Sequence, residues 1–131
     1  MTVRAHRDAV IASLGSDLPG AVFKSYSAVS GSLQRYAVVH IAPSVKQRPR
    51  YTGGQSRTVY TATVHSVGLD EDLALWVQER VERLTGRSLA VPGFKLWPVE
   101  FVTSRPPELD DGSSVPLWFT VTQFDITSDP V

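Results

Sequence analysis

Cysteine is absent from the 131 residues, which removes thiolate metal centres, cysteine nucleophiles and disulfides. No apolar run approaches the roughly 20 residues that a membrane-crossing helix needs. Met1-Thr2-Val3-Arg4 lacks the apolar core of an export signal. The expectation is a protein made in the cytosol that is neither exported nor membrane-embedded. Charge of one sign is not in excess, since thirteen Lys and Arg face thirteen Asp and Glu. No global field therefore draws the chain to nucleic acid or acidic membranes, and charge acts locally.

Motifs of catalysis are equally scarce. There is no glycine-rich phosphate loop followed by lysine and a helix, no nucleophile elbow, and no carboxylate pair set apart by its spacing. The three histidines, His6, His40 and His65, lie far apart and have no ligand partner at helical or turn spacing. Enzymes with paired strand histidines carry Ser or Thr two residues after each; here those positions hold Ala42 and Val67. A binding or structural protein with no cofactor and no metal is expected, and not an enzyme.

What is present is clearest between Arg57 and Trp97. Val59 to His65 alternates, with Tyr60, Ala62 and Val64 on one face and Thr61, Thr63 and His65 on the other, as a half-buried strand does. Gly68 ends it. Asp70, Glu71 and Asp72 then supply the carboxylates that a helix start favours. Leu73, Val77, Val81 and Leu84 follow at helical spacing beside Trp76, and Gly86 provides the stop. Two residues break this pattern. Arg80 rises from the apolar stripe and Leu75 from the polar side. Either the arginine stem lies over apolar surface and the leucine is simply exposed, or the two meet a neighbouring subunit.

Around this stretch, Thr2 caps a first helix with Val3, Val10, Ile11 and Leu14 on one side. Ala21–Tyr26 reads as a first strand, and Arg35–Ala42 as a central strand apolar on both faces. The connection 44–56 is long for a tight domain. Phe94–Thr103 is expected as one strand, with Pro98 marking an edge, bulge or start. Residues 105–114 are expected as an irregular surface loop. The last strand runs from Leu117 to about Ile126, its apolar phase slipping near Thr122-Gln123 as a bulge would make it, and the tail from Thr127 is expected to be loose. Tyr60, Val64, Trp76, Val77, Leu84, Val99, Phe101 and Phe119 are expected in one core. With 42% hydrophobic content, residues 1–131 suffice for one domain burying roughly two thirds of its unfolded surface.

Loop charge is segregated. Lys46, Arg48, Arg50 and Arg57 form a basic stretch without acids, whereas Glu108, Asp110 and Asp111 outnumber Arg105 in the later loop. Three readings stand: solvated loops, a head-to-tail contact in which a basic loop meets the acidic elements of the next subunit, or a nucleic-acid contact, for which Tyr51 is the only interleaved aromatic.

Several phrases and their order carry a likeness: Val59-Tyr60-Thr61-Ala62-Thr63-Val64 running into the helix of Asp70 to Leu84, then Val91-Pro92-Gly93, Leu96-Trp97-Pro98-Val99, the acidic loop around Asp110, and Pro116-Leu117-Trp118-Phe119 leading to Phe124. Across most of its length the chain resembles the tail terminator, or tail completion, proteins of long-tailed bacteriophages, especially those of actinobacterial phages and prophages. No single phrase is a strict signature. The resemblance implies an α+β fold, with a mixed or antiparallel sheet of about four to five strands flanked by two helices. It also implies a non-catalytic hexameric ring that caps the tail tube, ends its polymerisation and joins it to the head connector or stopper protein, in the tail or neck of the virion, with phage DNA passing through the lumen. Another head-tail neck completion protein, or a small nucleic-acid-binding protein using residues 46–57, are the alternatives.

Overall fold

The computed structural model describes residues 2–25, 33–43, 57–110 and 116–130. In chain order these form helix α1 (Thr2–Leu14) and strands β1 (Val22–Phe23), β2 (Arg35–Pro43) and β3 (Thr58–Gly68). Helix α2 (Glu71–Val81) follows, with a 3₁₀ turn Glu82–Leu84, and then β4 (Phe94–Leu96), β5 (Glu100–Ser104), β6 (Glu108–Asp110) and β7 (Leu117–Pro130). The class is α+β: two helices and a mixed sheet in the order β1-β2-β3-β7-β4, with β5 and β6 also on β7. Only the β1–β2 pair is parallel.

The seven strands exceed the four or five expected, and proline is the reason. The edge beside β7 is one segment in three pieces: β4 on Ser128–Pro130, β5 on Thr122–Asp125 and β6 on Leu117–Phe119. Pro98 separates the first two pieces, and Pro106-Pro107 the last two. A residue without an amide hydrogen cannot continue a ladder. The expected single strand Phe94–Thr103 is thus two strands, and the expected irregular loop contains β6. The tail is also ordered, as β7 pairs through Pro130. Strand β1 is shorter than expected and ends at Phe23.

The phase slip in β7 is not a bulge. Its pairing with β3 runs without register shift from Thr58↔Ser128 to Gly68↔Trp118. The irregularity sits instead in β5, between Phe101 and Thr103. What changes along β7 is which face is apolar. Phe124 and Ile126 point into the core under the helices, together with Tyr60, Ala62, Val64, Val77, Val81, Leu84 and Val99. Leu117 and Phe119 lie on the other face, against the smaller cluster of Tyr36, Val38 and Val67. Of the expected core, Phe119 therefore belongs to this second cluster. Trp76 packs against the main core while only partly buried, and Phe101 is 44% exposed.

The helix start reads from residue chemistry. Asp70 caps α2 by accepting from the Leu73 amide at 2.8 Å, and Gly86 takes a positive φ of 80° just past the 3₁₀ turn. Close approach fixes the small residues beneath α2. A Cβ on Gly68 would stand 2.5 Å from the Ala74 backbone nitrogen, so the helix and β3 are in direct backbone contact. Nearby Ser66, Thr120 and Thr122 are buried, and their hydroxyls lack hydrogen-bond partners among the described residues. On α1, His6 is fully buried and joins the sheet through Nε2 and Ser128 Oγ at 2.8 Å. No described helix is long and apolar enough to cross a membrane.

Candidate functional site

Helix α2 and the start of β2 build a compact basic feature. The helical rise puts Trp76 and Arg80 one turn apart on the same flank, and Arg35 approaches from the first position of β2. Both guanidinium carbons lie 3.6 Å from the centroid of the Trp76 indole, and two groups at that distance from one ring occupy opposite faces. Each cation is attracted by the negative face of the indole. Neither arginine has a carboxylate partner among the described residues. Arg35 and Trp76 border a depression of about 380 Å³ that Asp17, Leu18, Pro19, Ala21, Leu33 and Gln34 complete. Arg80 thus lies with its guanidinium over an aromatic ring, and both it and Leu75 are half-buried.

Asp17, at the rim, is already occupied. Arg87 and Arg83 both donate to it. Burial alone would raise its carboxyl, but the hydrogen bond and charge of Arg87, followed by those of Arg83, outweigh that and hold it below the usual carboxylate range.

Arg57 stands elsewhere, at the opposite end of β3. It donates through Nε and Nη2 to the two oxygens of Asp129, at 3.0 and 3.1 Å, while Trp97 Nε1 donates to Asp129 Oδ2 at 2.9 Å. Its charge is answered within its own chain. Lys46, Arg48, Arg50 and Asp111 lie outside the described residues.

Glu108 and Asp110 are exposed on β6. Their register partners Phe119 and Leu117 place them on the sheet face that the helices leave uncovered. The Tyr36 hydroxyl, on the same face, has its pKa raised by burial and then by the Asp110 charge. His40 and His65 also meet there, with ring centroids 5.4 Å apart. Burial first, and the charges of His40 and Arg105 next, lower the His65 pKa. No group of three potential metal ligands occurs among the described residues.

The fold therefore separates the residues singled out from the sequence. Arg80 and Leu75 are on α2, Arg57 is at the end of β3, and the β6 carboxylates are on the uncovered face. Arg35 was missed in the sequence, because nothing in the order of residues links it to Trp76; only the sheet brings them together.

No family model and no curated protein matches the chain. Among solved structures, it is similar to a chain of the virion of a native gene transfer agent particle, with a TM-score of 0.66 and 14% identity, covering 88% of this chain and 84% of that one. The likeness is one of fold.

Proposed function

We propose that this protein is a structural component of a phage-like virion and, more narrowly, a tail terminator: a ring of identical subunits that caps the tail tube, ends its polymerisation and joins it to the head connector. The observation that carries the reading is the fold likeness to a chain of a gene transfer agent virion, which spans most of both chains. The phrases from Val59 to Phe124 that resemble phage tail terminators support the finer assignment. So does the distribution of charge. The cations Arg35 and Arg80 flank Trp76 at α2, whereas Glu108 and Asp110 are exposed on the sheet face away from the helices. Complementary patches on different faces of one chain suit a head-to-tail contact, which closes into a ring when the rotation between subunits allows it.

In this account Arg80 and Leu75 present one side of the subunit contact and Glu108 and Asp110 the other, with Lys46, Arg48, Arg50 and Asp111 as further contact residues. The role is assembly without catalysis, and the protein acts within the virion tail or neck. Light scattering and negative-stain electron microscopy test the ring. Hexameric rings of wild type, lost in Arg80→Glu while its circular dichroism is kept, are the expected result. A wild type that stays monomeric at every concentration overturns the ring.

A further inference from the structure

A second basic feature lies at the other end of α1. Arg4 and Arg7, three residues apart, share one flank of that helix, and Lys24 follows β1 directly. The three line two adjoining depressions. One, of about 310 Å³, also has Val3, Val39, His40 and Ile41 in its wall; the other, of about 580 Å³, adds Asp8 and Ser25. Together they form a trough with an apolar floor on one side and cations along its length. Asp8 is the sole carboxylate lining it among the described residues, and it accepts from Nε and Nη2 of Arg7 at 3.2 and 3.1 Å. Arg4 and Lys24 are exposed and have no ion-pair partner among the described residues.

We infer that this trough is a binding site for phosphate oxyanions, held by Arg4, Arg7 and Lys24. Among the described residues, three cations against one carboxylate leave two positive charges unanswered. A terminal phosphate group carries about −1.5 to −2 and offers three acceptor oxygens, and a nucleic-acid backbone presents a negative charge at each successive phosphate; either suits that surplus better than a single carboxylate. Arg7 keeps donors beyond those given to Asp8, because a guanidinium has five N–H groups in a fixed fork, and arginine forks match phosphate oxygens bidentately. The apolar floor has room for the carbon framework that carries a phosphate. Zero net charge over the chain makes the surplus local, so attraction acts at the trough and not through a general field. The inference stands apart from the ring reading, since none of its residues belongs to the proposed subunit contact.

The ligand chemistry has two sources, a free phosphate compound or the backbone of a nucleic acid. The test is titration of the full chain with pyrophosphate, and with a DNA duplex of about a dozen base pairs, followed by amide chemical shifts and by calorimetry. Shifts at Arg4, Arg7 and Lys24 are expected. Pyrophosphate binding without duplex binding assigns the site to free phosphates, and duplex binding assigns it to a nucleic-acid backbone. With three phosphate contacts at a slope of about −0.9 each, raising salt from about 50 to 200 mM weakens duplex binding about 40-fold. The double variant Arg4→Gln/Lys24→Gln retains one contact and weakens only about fourfold over that range, with its melting preserved. The inference is overturned if neither ligand binds at about 50 mM salt, if the double variant binds like wild type, or if Arg80→Ala beside Trp76 lowers binding equally.

Discussion

Arg57 and Asp129, 72 positions apart, are joined by two hydrogen bonds of 3.0 and 3.1 Å, and Trp97 donates a third bond to the same carboxylate. Their neighbours Thr58 and Ser128 are register partners in the sheet, so the pair ties the residue just before β3 to the last residues of β7. Arg57 thus has its charge matched inside the subunit.

Phe124 and Phe101 are register neighbours with ring centroids 6.2 Å apart, yet their contributions to stability differ. Phe124 is fully buried, whereas Phe101 is 44% exposed. Phe124→Ala is expected to cost about 3 to 5 kcal/mol, and Phe101→Ala less than about 1 kcal/mol. Urea denaturation of both variants checks the ordering.

Gly68 is held by backbone contact. Its added Cβ would meet the Ala74 nitrogen at 2.5 Å and Leu73 Cβ at 2.7 Å, and the helix backbone cannot rotate away as a side chain does. Gly68→Ala is expected to destabilise by about 1 to 3 kcal/mol, read as a lower midpoint in denaturant.

Thr122 keeps a buried hydroxyl without a partner among the described residues. Replacing that oxygen by a methyl removes a desolvation cost of about 1 to 3 kcal/mol. Thr122→Val is therefore expected to raise the melting temperature, in contrast to most substitutions in the core.

Asp17 gives a pH signature. Its folded pKa lies below the unfolded value of about 3.9, so its pairing with Arg87 and Arg83 stabilises the fold fully above that value. The contribution is lost as pH falls through the folded pKa. Asp17→Asn is expected to melt below wild type at neutral pH, and the difference is expected to shrink as the pH is lowered from about 5 towards 2.

Local chemistry made much of the fold legible. Asp70 and Gly86 bound α2, and the alternation of Tyr60, Ala62 and Val64 reports the core face of β3, because caps and periodicity are written in neighbouring residues. Features set by distant pairing were not legible. A strand apolar on one face at Phe119 and on the other at Phe124 gives the same pattern as a one-residue bulge. The tail at Asp129 looks loose until Arg57 and Trp97 arrive from elsewhere in the chain. The candidate site divides in the same way. Arg80 stands out as a charge within an apolar stripe, whereas Arg35 and Lys24 acquire their neighbours only through the sheet.

The central claim concerns tube length. Tail-tube protein of the same virion, allowed to polymerise with and without this protein, can be measured by electron microscopy. The account predicts that added protein stops elongation, leaving short tubes with a ring of density at one end, and that Arg80→Glu does not. Tubes of unchanged length and bare ends in the presence of excess wild-type protein would contradict it.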